Sequence, residues 1–456
     1  MAQLASSSLY DDLYGGAALP RLRTTIERFF LFDELGTNWR REILAGCTTF
    51  VTMAYIIFVN PAILADAGMP KPATTAATCL AAAFGSIAMG LFARYPIALA
   101  PGMGLNAYFT YSVVQGLGVS WQIALGAVFL SGVAFLLLTL AGIRQRIVAA
   151  VPAELYSAVA VGIGLFIALI GFRNAGLVAP SAATLVKLGN LRDANTLLAL
   201  FGLLTTAVLM ALGIRAAILV GVMVCSLAAA AFGLASAAPG GYSLSGITAT
   251  AFALDIPGAL RLGLLEIVFV FLFVDLFDNL GTLVAVGKKA GLLDEANRIP
   301  RVERILLTDA SATMVGALAG TSTVVSYIES SAGVVAGGRS GITAIVTGLL
   351  FAVALFVAPL AGLIPSAATA PALIVVGALM VSHVAEIEWY DAAVGIPAFL
   401  TMIAIPLTFS IANGLAIGFT AYTLVNLLSG RARRVPVLMY VLSALFIARF
   451  AWIAGE

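Results

Sequence analysis

The sequence predicts an all-α polytopic membrane protein. Of its 456 residues, 61% are apolar and 10% are charged, and the mean hydropathy is +1.07. The apolar residues form near-continuous runs of about 20 residues, which is the length of a helix that crosses a bilayer. Two of these runs are interrupted by Gly, Pro and hydroxyl residues at membrane depth. This pattern excludes a soluble globular protein.

Fourteen runs are long and apolar enough to predict membrane spans. A further apolar stretch, 436–453, contains Arg449, and the sequence leaves open whether it lies in the interface or forms an extra span. Residues 21–34 mix Arg with Phe and Ile, which predicts an amphipathic helix on the inner membrane face. The predicted spans are 43–65, 73–93, 97–117, 121–141, 154–172, 195–213, 216–236, 261–287, 303–319, 321–338, 341–362, 370–384, 392–409 and 411–428.

The distribution of Lys and Arg tests this number of spans. With both termini in the cytoplasm, nineteen of the 24 Lys and Arg residues lie on the cytoplasmic side and five lie outside. This bias follows the positive-inside rule, and the loss of one mid-chain span would scramble it. We therefore expect a multi-pass protein of the inner or plasma membrane. The net charge of +2 reflects topology and contacts with anionic lipid, so we expect no nucleic-acid partner.

The chain is predicted to contain two fused halves. The interrupted third span holds Asn106, and the interrupted tenth span holds Glu329, 223 residues later. The same shift places Tyr55 on Asp278. Each half then has seven spans, and this odd number requires the halves to be inverted relative to one another. Interrupted segments at corresponding places of inverted repeats indicate a transporter binding site.

Four residues are expected to break the helices at these interruptions: Pro101, Gly102, Gly104 and Gly320. Irregular backbone at membrane depth is tolerated only where it is buried in protein or lines a cavity. Close packing of two Gly-rich helices is the alternative explanation. It does not account for an Asn in one segment and a carboxylate in the other.

Carboxylates of the eighth and tenth spans are the candidate functional groups. Asp275 and Asp278 are three residues apart and share one helix face, and Glu329 follows in the tenth span. Isolated carboxylates cost several kcal/mol at membrane depth, so they face a polar cavity, pair with donors or hold a proton. Desolvation favours the protonated form, and the pattern therefore indicates a proton-coupled carrier. Helix capping is an equally good explanation of Asp278.

The surroundings of Glu329 favour a neutral, planar solute that carries N–H donors. A bidentate pair of hydrogen bonds from such a solute to a carboxylate is strong and directional. Ser322, Thr323 and the free backbone groups up to Tyr327 are expected to read its edge. Tyr327 or Tyr108 is expected to stack on its ring. No metal-ligand cluster or nucleophile–base set is visible in the sequence, so we expect no metal, no cofactor and no enzymatic activity.

Five stretches of the chain carry a family resemblance: TFVTMAYIIFVNPAIL (49–64), APGMGLNAYF (100–109), FVDLFDNLGTL (273–283), GTSTVVSYIESSAGVVAGGRSG (320–341) and IPLTFSIANGLAIGF (405–419). They resemble the AzgA-type permeases for adenine, guanine and hypoxanthine. These belong to the nucleobase–cation symporter group, which also contains uracil and xanthine carriers. The resemblance runs from about residue 26 to the C terminus, and its motifs are long and specific.

The resemblance implies fourteen spans in two inverted sevens, with spans three and ten broken by short antiparallel strands that meet near the midplane. It also implies a core domain of spans 1–4 and 8–11, and a gate domain of spans 5–7 and 12–14 that forms a homodimer. On this chain the segments are 1–42 (cytoplasmic N terminus), 43–141 and 261–362 (core), 142–260 and 363–430 (gate) and 431–456 (C-terminal segment).

The family's functional residues map onto this chain by motif. Its purine-binding acids fall on Asp275 and Glu329, its polar residue of span three on Asn106, and its second acid of span eight on Asp278. One departure is Asn279, where relatives often have Thr, and we expect at most an effect on specificity. Uracil carriers of the wider group have Glu in span eight and His one turn later, so this chain resembles the purine branch.

These observations together predict a proton-driven importer of purine bases that works by an elevator-like step. Its partners are the base, a proton rather than sodium, and the lipid bilayer. One alternative is a sulfate or bicarbonate carrier of the related anion-transporter fold. Another is a purine receptor that does not transport, or a channel. The sequence does not decide among the purines, and it leaves the proton on Asp275, Asp278 or Glu329.

Overall fold

A computed structural model describes residues 18–142, 151–234, 246, 248–261, 265–292, 299–356 and 363–453. The helices of the first half are α1 (Ala18–Phe29), α2 (Phe32–Leu35), α3 (Trp39–Met53), α4 (Ile56–Ala65), α5 (Lys71–Ala88), α6 (Met103–Ala107), α7 (Trp121–Leu140), α8 (Ala153–Asn174), α9 (Ala194–Ala211) and α10 (Ala217–Ala231). Those of the second half are α11 (Ile256–Arg261), α12 (Leu265–Ala290), α13 (Val302–Ala319), α14 (Ser330–Val335), α15 (Gly341–Ala354), α16 (Ser366–Val381), α17 (Ala392–Thr408), α18 (Ile411–Leu428) and α19 (Val437–Ile453).

Shorter elements complete the described chain. The strands are β1 (Leu99–Pro101), β2 (Val178–Ser181), β3 (Leu185–Leu188) and β4 (Val324–Ser326). The π-helical segments Met89–Ala93 and Tyr108–Gly116 extend α5 and α6. The nineteen Lys and Arg residues predicted on the cytoplasmic side include Arg144, Arg146 and Arg298, which lie outside the described residues. The side chains of Asp278 and Arg449 are also outside the described part of the chain.

Helix lengths agree with a multi-pass architecture. Each predicted span overlaps at least one described helix. Five apolar helices among the described residues are shorter, with 10–17 residues, so helix length alone does not establish fourteen spans and that number stays a prediction. Within the described part of the chain, seven helical stretches are long and apolar enough to cross a membrane: Trp39–Ala65, Lys71–Ala93, Trp121–Leu140, Ala153–Asn174, Ala194–Ala211, Ser366–Glu386 and Ile411–Leu428.

Strands β1 and β4 pair antiparallel at the two interruptions, with Leu99 opposite Ser326 and Pro101 opposite Val324. This confirms the short strands expected in spans three and ten. Backbone N–H and C=O groups at membrane depth need partners within the protein, and the strand pair supplies them. Segments related by inversion run in opposite directions, so the antiparallel pairing agrees with two inverted halves.

The residues expected to break the helices have different roles. Pro101 ends β1, and Gly102 immediately precedes α6. Gly320 follows α13 with a φ of +98°, the left-handed conformation that glycine adopts at helix C termini. The prediction for Gly104 is wrong, because this residue lies within α6. A Cβ atom there would lie 2.5 Å from Cγ2 of Ile163, so glycine permits close packing of α6 on α8.

The helices pack in two groups. In the first group, α15 packs on α3 and α5, and α13 packs on α5 and α7. Helices α12 and α14 belong to the same group. In the second group, α8 packs on α16 and α17, α17 packs on α18, and α9 packs on α10 and α16. A cavity of about 160 Å³ lies between the groups and is lined by Asp66 and Lys71 on one side and by Asn174 and Thr369 on the other.

The N-terminal and C-terminal helices lie against this bundle. The helix predicted over 21–34 is divided into α1 and α2 near Leu31, whose φ is +57°, and its place on the inner membrane face stays a prediction. The guanidinium of Arg94 lies 3.8 Å from the ring centroid of Phe29. Helix α19 packs along α18, and its Phe446 ring also contacts Phe269 of α12, at 5.9 Å between centroids. The sequence predicted neither this contact nor the β2–β3 hairpin between α8 and α9.

Glu42, which is fully buried, connects the start of α3 to the start of α15. Its carboxylate accepts hydrogen bonds from the hydroxyls of Thr37 and Thr343, both at 2.6 Å. It also accepts from the backbone N–H groups of Arg339 and Ser340, at 2.9 and 3.2 Å. The N terminus of a helix carries a partial positive charge, so the start of α15 is a favourable place for this carboxylate.

We expect Glu42→Ala to lower the free energy of unfolding by about 3 kcal/mol, because it leaves several buried donors without an acceptor. Thermal unfolding of the detergent-solubilised protein measures this. Glu34→Ala is the matched control, since Glu34 is exposed in the same N-terminal region. Equal melting temperatures of the two variants would contradict the role of Glu42.

Candidate functional site

The segment from Ser322 to Glu329 brings most of the predicted site residues together. It leads from the end of α13 through β4 to the start of α14. Along this segment, side-chain and backbone groups contact α6, β1, α12 and the turn between α3 and α4 in that order. One short segment therefore connects the interrupted third span to the eighth and first spans.

Asn106 lies in α6 and is fully buried. The hydroxyl of Ser322 donates a hydrogen bond to its side-chain oxygen. The amide nitrogen of Asn106 and the hydroxyls of Thr323 and Ser326 are buried and have no hydrogen-bond partner within the described structure. Each buried polar atom of this kind costs about 1–3 kcal/mol. Buried polar side chains normally have a hydrogen-bond partner, so these three groups beside one strand pair are the candidate contacts for a polar ligand.

Asn279 connects two carboxylates of neighbouring helices to β4. Its amide nitrogen donates to Asp275 at 2.9 Å and to Asp309 at 2.7 Å. Its side-chain oxygen accepts from the backbone N–H of Ser326 at 2.8 Å. Both carboxylates and Asn279 are buried. From the sequence we expect Asn279 to have at most an effect on specificity. In the structure it lies at the centre of a hydrogen-bond network.

Sequence reasoning missed Asp309. This residue lies in α13 and is fully buried. A usable signal was present, because Asp309 falls inside the predicted span 303–319 and an ionisable residue within a span is a functional-site candidate by default. The interrupted segments do not indicate Asp309, because α13 is a continuous helix.

Glu329 lies at the start of α14 and is half-buried. Its Oε1 atom accepts a hydrogen bond from the hydroxyl of Tyr55 at 2.5 Å. Tyr55 is 1% exposed and lies at the turn between α3 and α4, within the helical stretch Trp39–Ala65. Tyr55 is thus a second residue at the site that the sequence did not predict. Asp278 shares helix α12 with Asp275, and its side chain is outside the described part of the structure.

The backbone of β4 is less available than the sequence suggested. Thr313, Asn279 and Ala98 accept hydrogen bonds from the N–H groups of Val324, Ser326 and Tyr327, at 3.2, 2.8 and 3.0 Å. The expectation that these three groups read a bound solute is therefore wrong, because strand pairing and neighbouring side chains already use them. The side chains that flank the strand pair remain available.

The two candidate aromatic residues are packed in the protein. The hydroxyl of Tyr327 donates to the carbonyl of Pro101 at 2.5 Å, which ties β4 to β1. Tyr108 meets Phe271 edge to face, with 5.1 Å between the ring centroids. Stacking of either ring on a solute stays a prediction.

The hydrogen bonds named at the site come from amide and hydroxyl groups. Among the described residues, ion pairs instead join Arg23 to Glu27 within α1 and Arg431 to Asp391 beside the start of α17. Arg431 donates to both oxygens of Asp391, at 2.7 and 2.6 Å, and holds the pKa of that carboxyl below its ordinary value. The site around Asp275 and Glu329 is therefore acidic, with neutral donors close to its carboxylates.

Comparison with known proteins identifies the family. Residues 40–450 match the model of a permease family that is named for xanthine and uracil permeases. The chain belongs to this permease family. It is 47% identical over 440 residues to the guanine/hypoxanthine permease PbuG of Bacillus subtilis, with 94% of this chain and 100% of PbuG covered. The predicted resemblance to AzgA-type purine permeases is thus confirmed.

Two further relatives agree with this assignment. The permease is 44% identical over 434 residues to the adenine permease AdeP of Escherichia coli, with 94% of this chain and 96% of AdeP covered. It is 52% identical over 431 residues to a protein of Methanocaldococcus jannaschii whose name calls it a permease without giving a substrate. That match covers 94% of this chain and 99% of the relative.

Solved structures of other transporters share the fold. The transmembrane domain of the cyanobacterial bicarbonate transporter BicA superposes with a TM-score of 0.62 at 17% identity, covering 83% of this chain and 97% of that domain. Murine Slc26a9, an anion transporter in its inward-facing state, gives a TM-score of 0.64 at 12% identity, covering 92% and 75%. These identities show the fold alone, and with the family they make the chain a multi-pass membrane protein.

Proposed function

We propose that this permease imports purine nucleobases through the site between α6, α12 and α14. The observation that carries the proposal is the set of three buried polar atoms without partners, on Asn106, Thr323 and Ser326. They flank the strand pair on the segment that leads to Glu329. Relatives named as adenine and guanine/hypoxanthine permeases support the same substrate class.

A purine base complements these groups chemically. Its N–H edge donates to the carboxylate of Glu329, which accepts on both oxygens. Its ring nitrogens or carbonyl accept from the amide of Asn106, which Ser322 holds in one orientation. The hydroxyls of Thr323 and Ser326 donate or accept as each base requires. A base with both donors and acceptors thus satisfies the polar atoms that are otherwise buried without partners.

An inorganic anion suits this site poorly, although bicarbonate and other anion transporters share the fold. Asp275, Asp309 and Glu329 place carboxylates on or beside the same segment. Like charges repel strongly at low dielectric. The substrate class therefore differs from that of these structural neighbours even though the fold is shared.

The coupling ion in this proposal is a proton. Asp275 and Asp309 accept hydrogen bonds from the same amide nitrogen of Asn279. Two buried carboxylates this close are favoured when they hold one proton between them. Asn279 also accepts from the N–H of Ser326, so a change of protonation alters the bonding of the strand beside the substrate. Asp278 and Glu329 remain further candidates for the proton.

The packing supports an elevator-type mechanism. Helices α3, α6, α12 and α13 and the strand pair build the site, and α3, α12 and α13 belong to the first packing group. Helices α8 and α16–α18 belong to the second group. Movement of the first group against the second would carry the whole site as a unit across the membrane. In this proposal the first group is the core domain and the second is the gate domain. The protein forms a homodimer through the gate domain, and both termini lie in the cytoplasm.

Glu329→Gln is expected to weaken purine binding at least about 100-fold, because it removes the charged acceptor and replaces one oxygen with a donor. Competition binding measures this with adenine, guanine, hypoxanthine, xanthine and uracil, and with bicarbonate and sulfate as anions. Glu34→Gln is the control, since Glu34 is exposed outside the helix bundle.

Selective purine binding that is lost only in Glu329→Gln supports the proposal and identifies the preferred base. Binding of bicarbonate or sulfate in place of purines would overturn the substrate class. Unchanged purine binding in Glu329→Gln would overturn the role of this carboxylate.

Asp309→Asn is expected to abolish purine-dependent proton entry into proteoliposomes while exchange of labelled base across the membrane continues. The reason is that Asp309 bonds Asn279 and has no contact with the base in the proposed arrangement. A pH-sensitive dye measures proton entry, and counterflow of labelled purine measures exchange. Proton entry at the wild-type rate in Asp309→Asn, or wild-type uptake driven by sodium alone, would contradict the coupling scheme.

A further inference from the structure

The proposed substrate-binding carboxylate already has a partner within the protein. The hydroxyl of Tyr55 donates to Oε1 of Glu329 at 2.5 Å, and the two residues are 274 positions apart in the chain. Tyr327, two residues before Glu329, directs its hydroxyl to the carbonyl of Pro101. Tyr55 is therefore the residue whose hydroxyl is directed at Glu329.

Close packing holds the two side chains at this distance. Glu329 precedes α14, and α14 packs on α3, which ends just before Tyr55. A Cβ atom on Gly333 of α14 would lie 2.0 Å from the hydroxyl oxygen of Thr49 in α3, so only glycine permits this approach. Tyr55 is 1% exposed within the hydrophobic core. Its ring has little freedom to leave Glu329 when a ligand arrives.

The position of Tyr55 in the repeat agrees with a place at the site. The shift of 223 residues that aligns Asn106 with Glu329 also aligns Tyr55 with Asp278. Tyr55 lies at the turn between α3 and α4, and its counterpart in the other half lies in α12, the helix that carries Asp275.

We propose that Tyr55 is a positioning residue for the purine: it holds one oxygen of Glu329 and so presents the other oxygen to the N–H edge of the base. This inference rests on the proposed function of Glu329. A carboxylate accepts about four hydrogen bonds, so the phenol and the base bind it together. A carboxylate whose orientation is set in advance loses less entropy when the base binds.

A competing role for Tyr55 predicts the opposite effect on purine binding. If the hydroxyl of Tyr55 only occupied the place of the base on Glu329, removing it would relieve competition and strengthen purine binding. If it orients Glu329, removing it weakens binding. The sign of the effect of Tyr55→Phe therefore separates the two arrangements.

The test compares Tyr55→Phe with Tyr111→Phe in proteoliposome uptake of the purine that the wild-type protein binds. Tyr111 is the matched control, because it is also buried and its hydroxyl also donates to a carboxylate. The hydrogen bond from Tyr111 to Asp66 is 2.6 Å long, and Asp66 is not one of the proposed site residues. For Tyr55→Phe we expect KM to rise about tenfold, the effect of one hydrogen bond to a charged group. We expect its maximal rate and melting temperature to match those of Tyr111→Phe.

Each outcome decides the inference. A KM equal to that of Tyr111→Phe, or a lower one, would overturn the positioning role. A fall in maximal rate and melting temperature without a rise in KM would assign Tyr55 to the fold alone and would also overturn it. Glu329→Gln, measured in parallel, separates the two hypotheses, because normal purine binding by that variant defeats the proposed function itself.

Discussion

The pairing of β1 with β4 is the interaction on which the rest of this structure depends. Two spans are interrupted at membrane depth, and the polar backbone exposed there needs partners that lipid does not provide. The strands satisfy one another across the two halves, with Leu99 opposite Ser326. The same pairing places Asn106 just after one strand and Glu329 just after the other. The strand pair that satisfies these backbone groups therefore also positions the candidate binding residues.

Acidic side chains within this frame are stabilised mainly by neutral donors. Tyr55 donates to Glu329, and Asn279 donates to both Asp275 and Asp309. A bidentate Arg would bind a carboxylate strongly and lock it in one charge state. Neutral donors let a carboxylate exchange partners or accept a proton at a smaller cost. The proposed proton coupling needs such carboxylates, because it combines a fixed geometry with a change of charge.

Local signals made much of this protein predictable. Hydropathy located the helices, the Gly- and Pro-rich interruptions located Asn106 and Glu329, and the family resemblance implied the two strands. Contacts between distant residues were not predictable in this way. Tyr55 donates a hydrogen bond to Glu329, which is 274 residues later in the chain, and the neighbouring residues of Tyr55 do not indicate this contact. Gly104 was misread because an interrupted span and a close helix contact both use glycine, and only the neighbouring Ile163 distinguishes them.

The two halves each contribute one strand to the β1–β4 pair but differ in the side chains that follow these strands. Corresponding positions carry Asn106 and Glu329, an amide that donates or accepts and a carboxylate that accepts. A symmetric pair of acids would demand a ligand with donors on both edges, and a symmetric pair of amides would provide no preference for N–H groups. One of each suits a flat ligand whose opposite edges differ in donors and acceptors. A purine base has such edges, whereas a small symmetric anion does not, so under the proposed function the difference between Asn106 and Glu329 would favour a base over an anion on a fold that anion transporters share.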